Sequence, residues 1–379
     1  MFDKSADAFP VKREYIFLSH CSISPLYGAA LQREREMAEA QCRGGVVVYS
    51  QYDAILDGLR TASAALLHTA PENLAFVKNT SEGINILANG YRFEPGDEVI
   101  SYVHEYPANH YPWKLQERRG VKLVLLPDAE PHGPRPTSWS MQALEAAVTP
   151  RTRIVALSHV QFASGYAADL SALAHFCKSR GIDLILDAAQ SLGCLPIDAD
   201  ALGLAAVVSS GWKWLMGPIG TGVFFTSKAL RDKLDLTLVG AETMQQGTDY
   251  LDHTWAPVST ARAFEYSTSP IALAAALETC IRELPLRYGL KAIEAELYRL
   301  QDVFLDRIKS SSVRPAFLPP QRTPILSLNV PGDVNALRRE LFKQKVITTE
   351  RGGYLRIAPH IHNTDAEMER AAEWIVQFT

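Results

Sequence analysis

The sequence predicts an α/β protein: a large domain on a mostly parallel central sheet flanked by helices, plus a smaller α+β domain at the C-terminal end. Three observations lead there. Up to about residue 260, short apolar runs alternate with amphipathic helical stretches, the rhythm of strand–helix–strand crossovers. Past about Arg262 the pattern turns to helical periodicity. The 379 residues also exceed one compact core, which usually holds roughly 100–200.

Residues 74–77 (LAFV), 98–103 (EVISYV) and 122–126 (KLVLL) read as the first strands of the sheet. Residues 153–160 (RIVALSHV) follow as a buried strand, after which Asp169 is placed to cap a helix. Leu170, Leu173, Ala174 and Cys177 share one face of that helix, Lys178 and Arg180 occupy its last turn, and Gly181 stops it. Residues 182–186 (IDLIL) form the next strand, and 207–209 and 222–226 extend the sheet. The stretch 127–138, with Pro131, Pro134 and Pro136, reads as a surface loop. Residues 271–307 are helical in period, and 324–330 (PILSLNV) open a strand–helix–strand–helix unit. Thr364 and Glu367 make a capping-box pattern before the last helix. On this reading 21–261 form the large domain, and 1–20 with 262–379 form the small one.

A net charge of −4 supplies no electrostatic footprint for nucleic acid or an anionic membrane. No run approaches the roughly 18 apolar residues of a membrane span, and the first twenty residues lack a signal-peptide pattern. The five cysteines are scattered, odd in number and never spaced CxxC. That argues against a disulfide framework or a cysteine zinc site and fits a reducing cytoplasm.

The chemistry concentrates at the predicted strand exits. Lys213 lies in SSGWKW, between a short apolar strand and the glycine-rich GPIGTG. Loss of hydration there lowers an amine's pKa and makes it nucleophilic enough to form an imine. Asp187 ends the 182–187 run, at the carboxyl edge where open α/β sheets bind ligands. A carboxylate buried there needs a cationic partner, and a protonated pyridine nitrogen is one; a helix cap or a structural ion pair is the plainer role. Thr80 and Ser81, in KNTSEG, open a helix whose N-terminal N–H groups suit a phosphate, or else they merely cap it.

In order, NTSEGIN, LILDAAQSLG, SSGWKWLMGPIGTG and the late LRIAPHIHNT resemble the class V aminotransferase and cysteine desulfurase family of pyridoxal-phosphate enzymes, over nearly the whole chain. The resemblance implies the fold-type I architecture, with pyridoxal 5'-phosphate bound to Lys213 as a Schiff base. It implies that Asp187 pairs with the pyridine nitrogen and Gln190 with the ring's phenolic oxygen. Thr80, Ser81 and Ser210 would bind the phosphate, and Arg356 the substrate α-carboxylate. Thr268, in FEYSTSP, resembles a phosphate contact that the family delivers across a dimer interface, so a homodimer with shared sites is implied.

The match departs from the family in places. Desulfurases carry a nucleophilic cysteine shortly before the carboxylate-binding arginine; residues 346–356 contain none, and the last cysteine is Cys280. Arg351 in that stretch reads as a second substrate contact or as a solvated loop residue. Trp212 stands where desulfurases commonly have histidine. The family's ring-stacking histidine falls on Pro107, which leaves Tyr106 as the candidate cover over the ring. His159 matches a recurring family histidine, as a cofactor contact or a structural hydrogen-bonder. Gln161 and Phe162 replace a polar pair that would reach the ring oxygen. The tract 20–25 (HCSISP) resembles the loop that closes over substrate, with Cys21 either reactive or a small buried thiol. His360 and His362 have no third ligand nearby in sequence, so no metal site is expected.

The resulting expectation is a class V aminotransferase acting on an amino acid or amine. A carbon–sulfur or other β-lyase is the alternative, an epimerase a third, and a non-catalytic binding module the non-enzyme reading.

Overall fold

The computed structural model describes residues 1–129, 135–316 and 322–379. Its centre is a seven-stranded sheet in the order Leu74–Val77, Gly222–Thr226, Ala206–Ser210, Asp183–Asp187, Thr152–Ser158, Glu98–Tyr102, Lys122–Leu126. Every neighbouring pair is parallel except the two made by Gly222–Thr226, which runs against both neighbours. The connection, residues 211–221, is shorter than the dozen or so residues that the helical crossover of a parallel return requires. The inner strands are buried on both faces, which is why they read as continuous apolar runs and not as alternating ones.

Local signals act as read. Asp169 caps Leu170–Ser179, its side chain accepting from the Ala172 N–H at 2.9 Å. Thr364 and Glu367 close a reciprocal capping box on Asp365–Phe378. The helical stretch after residue 270 is not continuous. Ile271–Ile281 runs into a wide turn at Arg282–Leu286 holding Pro285, and Leu290–Ile308 starts after Gly289 at φ +82°. Proline removes an N–H inside a helix, and the left-handed glycine ends the segment. Pro131 and Pro134 of the predicted 127–138 loop lie outside the described residues.

A second, antiparallel sheet contains Thr349–Arg351, Tyr354–Ile357, Leu326–Asn329 and Arg314–Pro315. Its own apolar cluster includes Leu300, Phe304, Leu328, Leu341, Leu355 and Ile375. Ile16–Phe17 pairs in parallel with Val346–Ile347, and Ser19 bridges Ala358. The Ile16–Phe17 pair is a separate two-stranded sheet, and beyond it the Ser24 N–H donates to the Trp212 carbonyl at 2.9 Å, past the end of a strand of the large sheet. Among the described residues no helix is long and apolar enough to cross a membrane.

Candidate active site

Five parallel strands each release the chain at the same edge of the sheet, and each exit supplies a wall of one cavity of about 430 Å³. Thr80 and Ser81 follow Leu74–Val77, and Tyr106 follows Glu98–Tyr102. Ser158, Asp187 and Ser210 are themselves the last residues of their strands. Lys213, Gln190, Arg351 and Arg356 complete the walls with Cys21 to Ile23 of the N-terminal loop. This is the carboxyl edge at which open α/β sheets bind ligands.

At one end Thr80 Oγ1 and Ser210 Oγ are 2.8 Å apart, and both residues are buried. The cap of the helix Thr80–Gly90 is Asn79, whose side chain accepts from the Glu82 N–H at 2.8 Å. The alternative that Thr80 or Ser81 caps it is therefore corrected: both are helical residues, and their hydroxyls remain for a ligand. The helix comes this close to the strand because of Gly83, where a Cβ would stand 2.5 Å from Val208 Cγ1. Hydroxyls and N–H groups at a helix N-terminus bind phosphate well.

At the centre Asp187 is buried, with its carboxylate accepting from the Ala189 N–H at 2.9 Å. Burial raises its pKa, offset in part by that bond and by the charge of Lys213. Such a carboxylate holds its charge best against a cation inside the cavity. Burial lowers the pKa of Lys213, while Asp187 opposes the shift and Arg356 and Arg351 add to it. The amine is therefore more readily neutral and nucleophilic than a surface lysine. Gln190 is committed at both ends of its amide: Nε2 donates to the Cys21 carbonyl at 2.9 Å, and Oε1 accepts from Trp214 Nε1 at 3.1 Å. One N–H of Nε2 remains for a ring oxygen, and the residue also anchors the N-terminal loop.

At the other end Arg356 is only 2% exposed. Its Nη1 donates to the Phe162 carbonyl at 2.5 Å and Nη2 to Thr349 Oγ1 at 2.9 Å, while Nε has no partner. Arg351 is exposed, donates to the Glu350 carbonyl at 2.7 Å and reaches the cavity wall. Tyr106 covers the opening, its ring centroid 5.5 Å from Lys213 Nζ and edge-on to Phe162 at 5.2 Å. Pro107 instead begins the short turn Pro107–Asn109.

Two expected residues stand apart from the cavity. His159 is buried next to Asp187 in the strand pairing, and burial lowers its pKa to about 4. Its Nδ1 has no partner. Thr268 lines a different recess with Lys78, Glu82 and Tyr266. His360 and His362 are core residues: His362 Nε2 meets His20 Nε2 at 3.0 Å, and His360 Nε2 meets the Trp214 carbonyl at 3.1 Å. Among the described residues no cluster of three or more metal-ligating side chains forms.

The sequence reading passed over Glu105. Its carboxylate accepts from the Ser158 N–H and Gln161 Nε2, each at 2.8 Å, and from the Ser158 hydroxyl. Burial pushes it up to about 7, those bonds pulling the other way and Asp187 adding repulsion. A carboxylate three residues past the Glu98–Tyr102 strand was the available signal, since Thr80, Ser81, Tyr106, Asp187 and Ser210 also sit at such exits.

The family model described as Aminotransferase class-V matches residues 29–354, and the chain belongs to that family. It is 26% identical over 387 aligned positions to a probable cysteine desulfurase of Methanothermobacter thermautotrophicus, covering 96% of this chain and 94% of that one. A cysteine desulfurase of Dickeya dadantii is 29% identical over 60% of this chain and 57% of its own length. Among solved structures, the Escherichia coli cysteine desulfurase CsdA superposes with a TM-score of 0.86 at 20% identity, covering 100% and 98% of the two chains. The cystine C-S lyase C-DES, solved with its product cysteine persulfide, gives 0.88 at 20% identity, covering 97% and 99%. The cofactor is pyridoxal phosphate, and the cavity fits it: a hydroxyl pair at a helix start, a buried carboxylate short of a cation, and a nucleophilic lysine.

Proposed function

We propose that this class V enzyme cleaves the carbon–sulfur bond of a β-thio α-amino acid. The observation that carries the amino-acid part is Arg356, buried at the far wall from the phosphate end with Nε unpartnered. A guanidinium in that state suits a substrate α-carboxylate, which it can grip through two parallel bonds. The carbon–sulfur part is supported by the relatives, which are named cysteine desulfurases, and by the neighbour named a cystine C-S lyase.

Thr80, Ser81 and Ser210 would hold the cofactor phosphate, Asp187 would pair with its ring nitrogen, and Lys213 would carry it. When bound, the cofactor supplies an electron sink for charge left on the substrate α-carbon. Arg356 sets the α-carboxylate, so the α-carbon is presented to the Lys213 amine. That amine, its pKa lowered by burial, removes the α-proton and can return it. Tyr106 and Phe162, edge-on to one another in the cavity wall, would shield the reacting atoms from water. Thr268 lines a separate recess and not its own chain's cavity, which suits a homodimer in which it serves the partner's.

Transamination is the second reading. It is favoured by the absence of a cysteine from residues 346–356. The test is product analysis with L-cysteine and L-cystine, with and without pyruvate or 2-oxoglutarate. Sulfur release that needs no keto acid is expected. Amino transfer to the keto acid with sulfur retained would overturn carbon–sulfur cleavage and establish an aminotransferase. Lys213→Ala should abolish either reaction, and unchanged turnover would refute the site itself.

A further inference from the structure

Of the five cysteines, Cys177, Cys194 and Cys280 are packed in apolar core and Cys42 is exposed. Cys21 is buried too, in the same apolar cluster as Cys194 and Cys280, and of the five only Cys21 also lines the cavity. Its Sγ lies 3.7 Å from Thr349 Oγ1, the hydroxyl that Arg356 Nη2 holds at 2.9 Å. One hydroxyl thus separates the thiol from the buried guanidinium whose Nε lacks a partner.

The loop is tied to the lysine. Gln190 Nε2 holds the Cys21 carbonyl at 2.9 Å, and the Ser24 N–H donates to the Trp212 carbonyl at 2.9 Å. The Ser24 hydroxyl donates to the Lys213 carbonyl at 2.6 Å. Thiol, amine and guanidinium therefore face one space in fixed relation.

We propose that Cys21 is a catalytic thiol of this site and accepts the sulfur of the β-thio amino acid. This rests on the carbon–sulfur cleavage reading above. With L-cysteine, the Cys21 sulfur bonds to the substrate sulfur as the substrate Cβ–S bond breaks. The electron pair of that bond stays with Cβ, which takes up a proton. Cysteine and the Cys21 thiol become alanine and a Cys21 persulfide. The sulfur is oxidised and the carbon reduced by the same two electrons, so no outside oxidant enters.

Two experiments test it. Holoenzyme treated with L-cysteine and then alkylated should carry one added sulfur on the Cys21 peptide by mass spectrometry, with alanine as product. In Cys21→Ala that sulfur should vanish and alanine formation fall at least ~10-fold, while Cys42→Ala behaves as the parent. Pyruvate, ammonia and sulfide released with no sulfur on Cys21 would overturn the acceptor role and leave carbon–sulfur cleavage standing. No sulfur release from any β-thio amino acid would overturn both.

The second needs no turnover. In the cofactor-free protein, iodoacetate should alkylate Cys21 faster than iodoacetamide, because Arg356 draws the reagent's carboxylate beside the thiol. Arg356→Ala should lower that preference about tenfold. Equal rates for the two reagents in the parent protein would refute the placement.

Discussion

Arg60 reaches Glu265 through Nε at 3.1 Å and through Nη2, and its Nη1 meets Asp57 at 2.5 Å. Glu265 in turn accepts from the Phe76 N–H at 2.8 Å. Arg356 is more deeply buried, yet among the described residues it pairs with no carboxylate and leaves Nε empty. Burial pulls both guanidiniums toward neutrality, but the bonds and charge of Glu265 leave Arg60 above its ordinary pKa, while Arg356 stays below its own. A protein can bury a cation beside a built-in anion, or it can hold one ready for an anion that arrives. The first is structural. The second stands in a cavity with Lys213 and Asp187, and it is the group we propose to bind the substrate carboxylate.

The contrast breaks most sharply at Glu265. Glu265→Ala strands the Arg60 charge, and losing one partner of a buried pair costs about 3–5 kcal/mol. Urea unfolding should show that loss, while turnover per folded molecule stays near the parent's. A variant with parental stability would remove the structural half of the comparison.

Arg356→Ala should do the reverse. Stability holds or rises, because an uncompensated buried charge is removed. The kcat/KM for substrates bearing an α-carboxylate falls roughly 100-fold, about 3 kcal/mol for a lost charge-assisted contact. Equal losses for carboxylated and uncarboxylated amines would remove the binding half.

The buried imidazoles sharpen the comparison, since they meet burial by staying neutral. Burial lowers His360 to about 4. Its folded pKa lies below the ordinary value near 6.5, so below that pH the unfolded chain binds more protons than the folded one. Stability from this residue is therefore full above about pH 6.5 and lost as the pH falls toward 4, on the order of 3 kcal/mol at the limit. Unfolding free energies across this range should fall more steeply for the parent than for His360→Gln, which keeps a donor toward the Trp214 carbonyl. Parallel curves would contradict a neutral His360.

The smallest effect belongs to Trp214→Phe, which removes the indole donor to Gln190 Oε1. A loss of about 1 kcal/mol is expected. It should come with weaker cofactor retention, because Gln190 gains freedom at the cavity wall; unchanged retention would reduce Gln190 to a loop anchor.

By itself the sequence determined the α/β class, most of the strands, the helix caps at Asp169 and Thr364, and nearly all the cavity walls. These were legible because each rests on local chemistry: an apolar run, a side-chain acceptor before a helix, a polar residue placed just where a buried strand ends. What only the tertiary structure decided depends on residues distant in the chain. That Gly222–Thr226 lies between two strands and runs against both appears only in the pairing. The Arg60–Glu265 pair spans 205 positions, and Cys21 meets Thr349 across 328. Glu105 hid because nothing local shows that Ser158 and Gln161 will close on it. His159 and Thr268 matched a pattern, yet packing left one buried outside the cavity lining and the other in a separate recess. Local chemistry says which groups can act, and burial, which many distant residues create together, says which are left without a partner to act on a ligand.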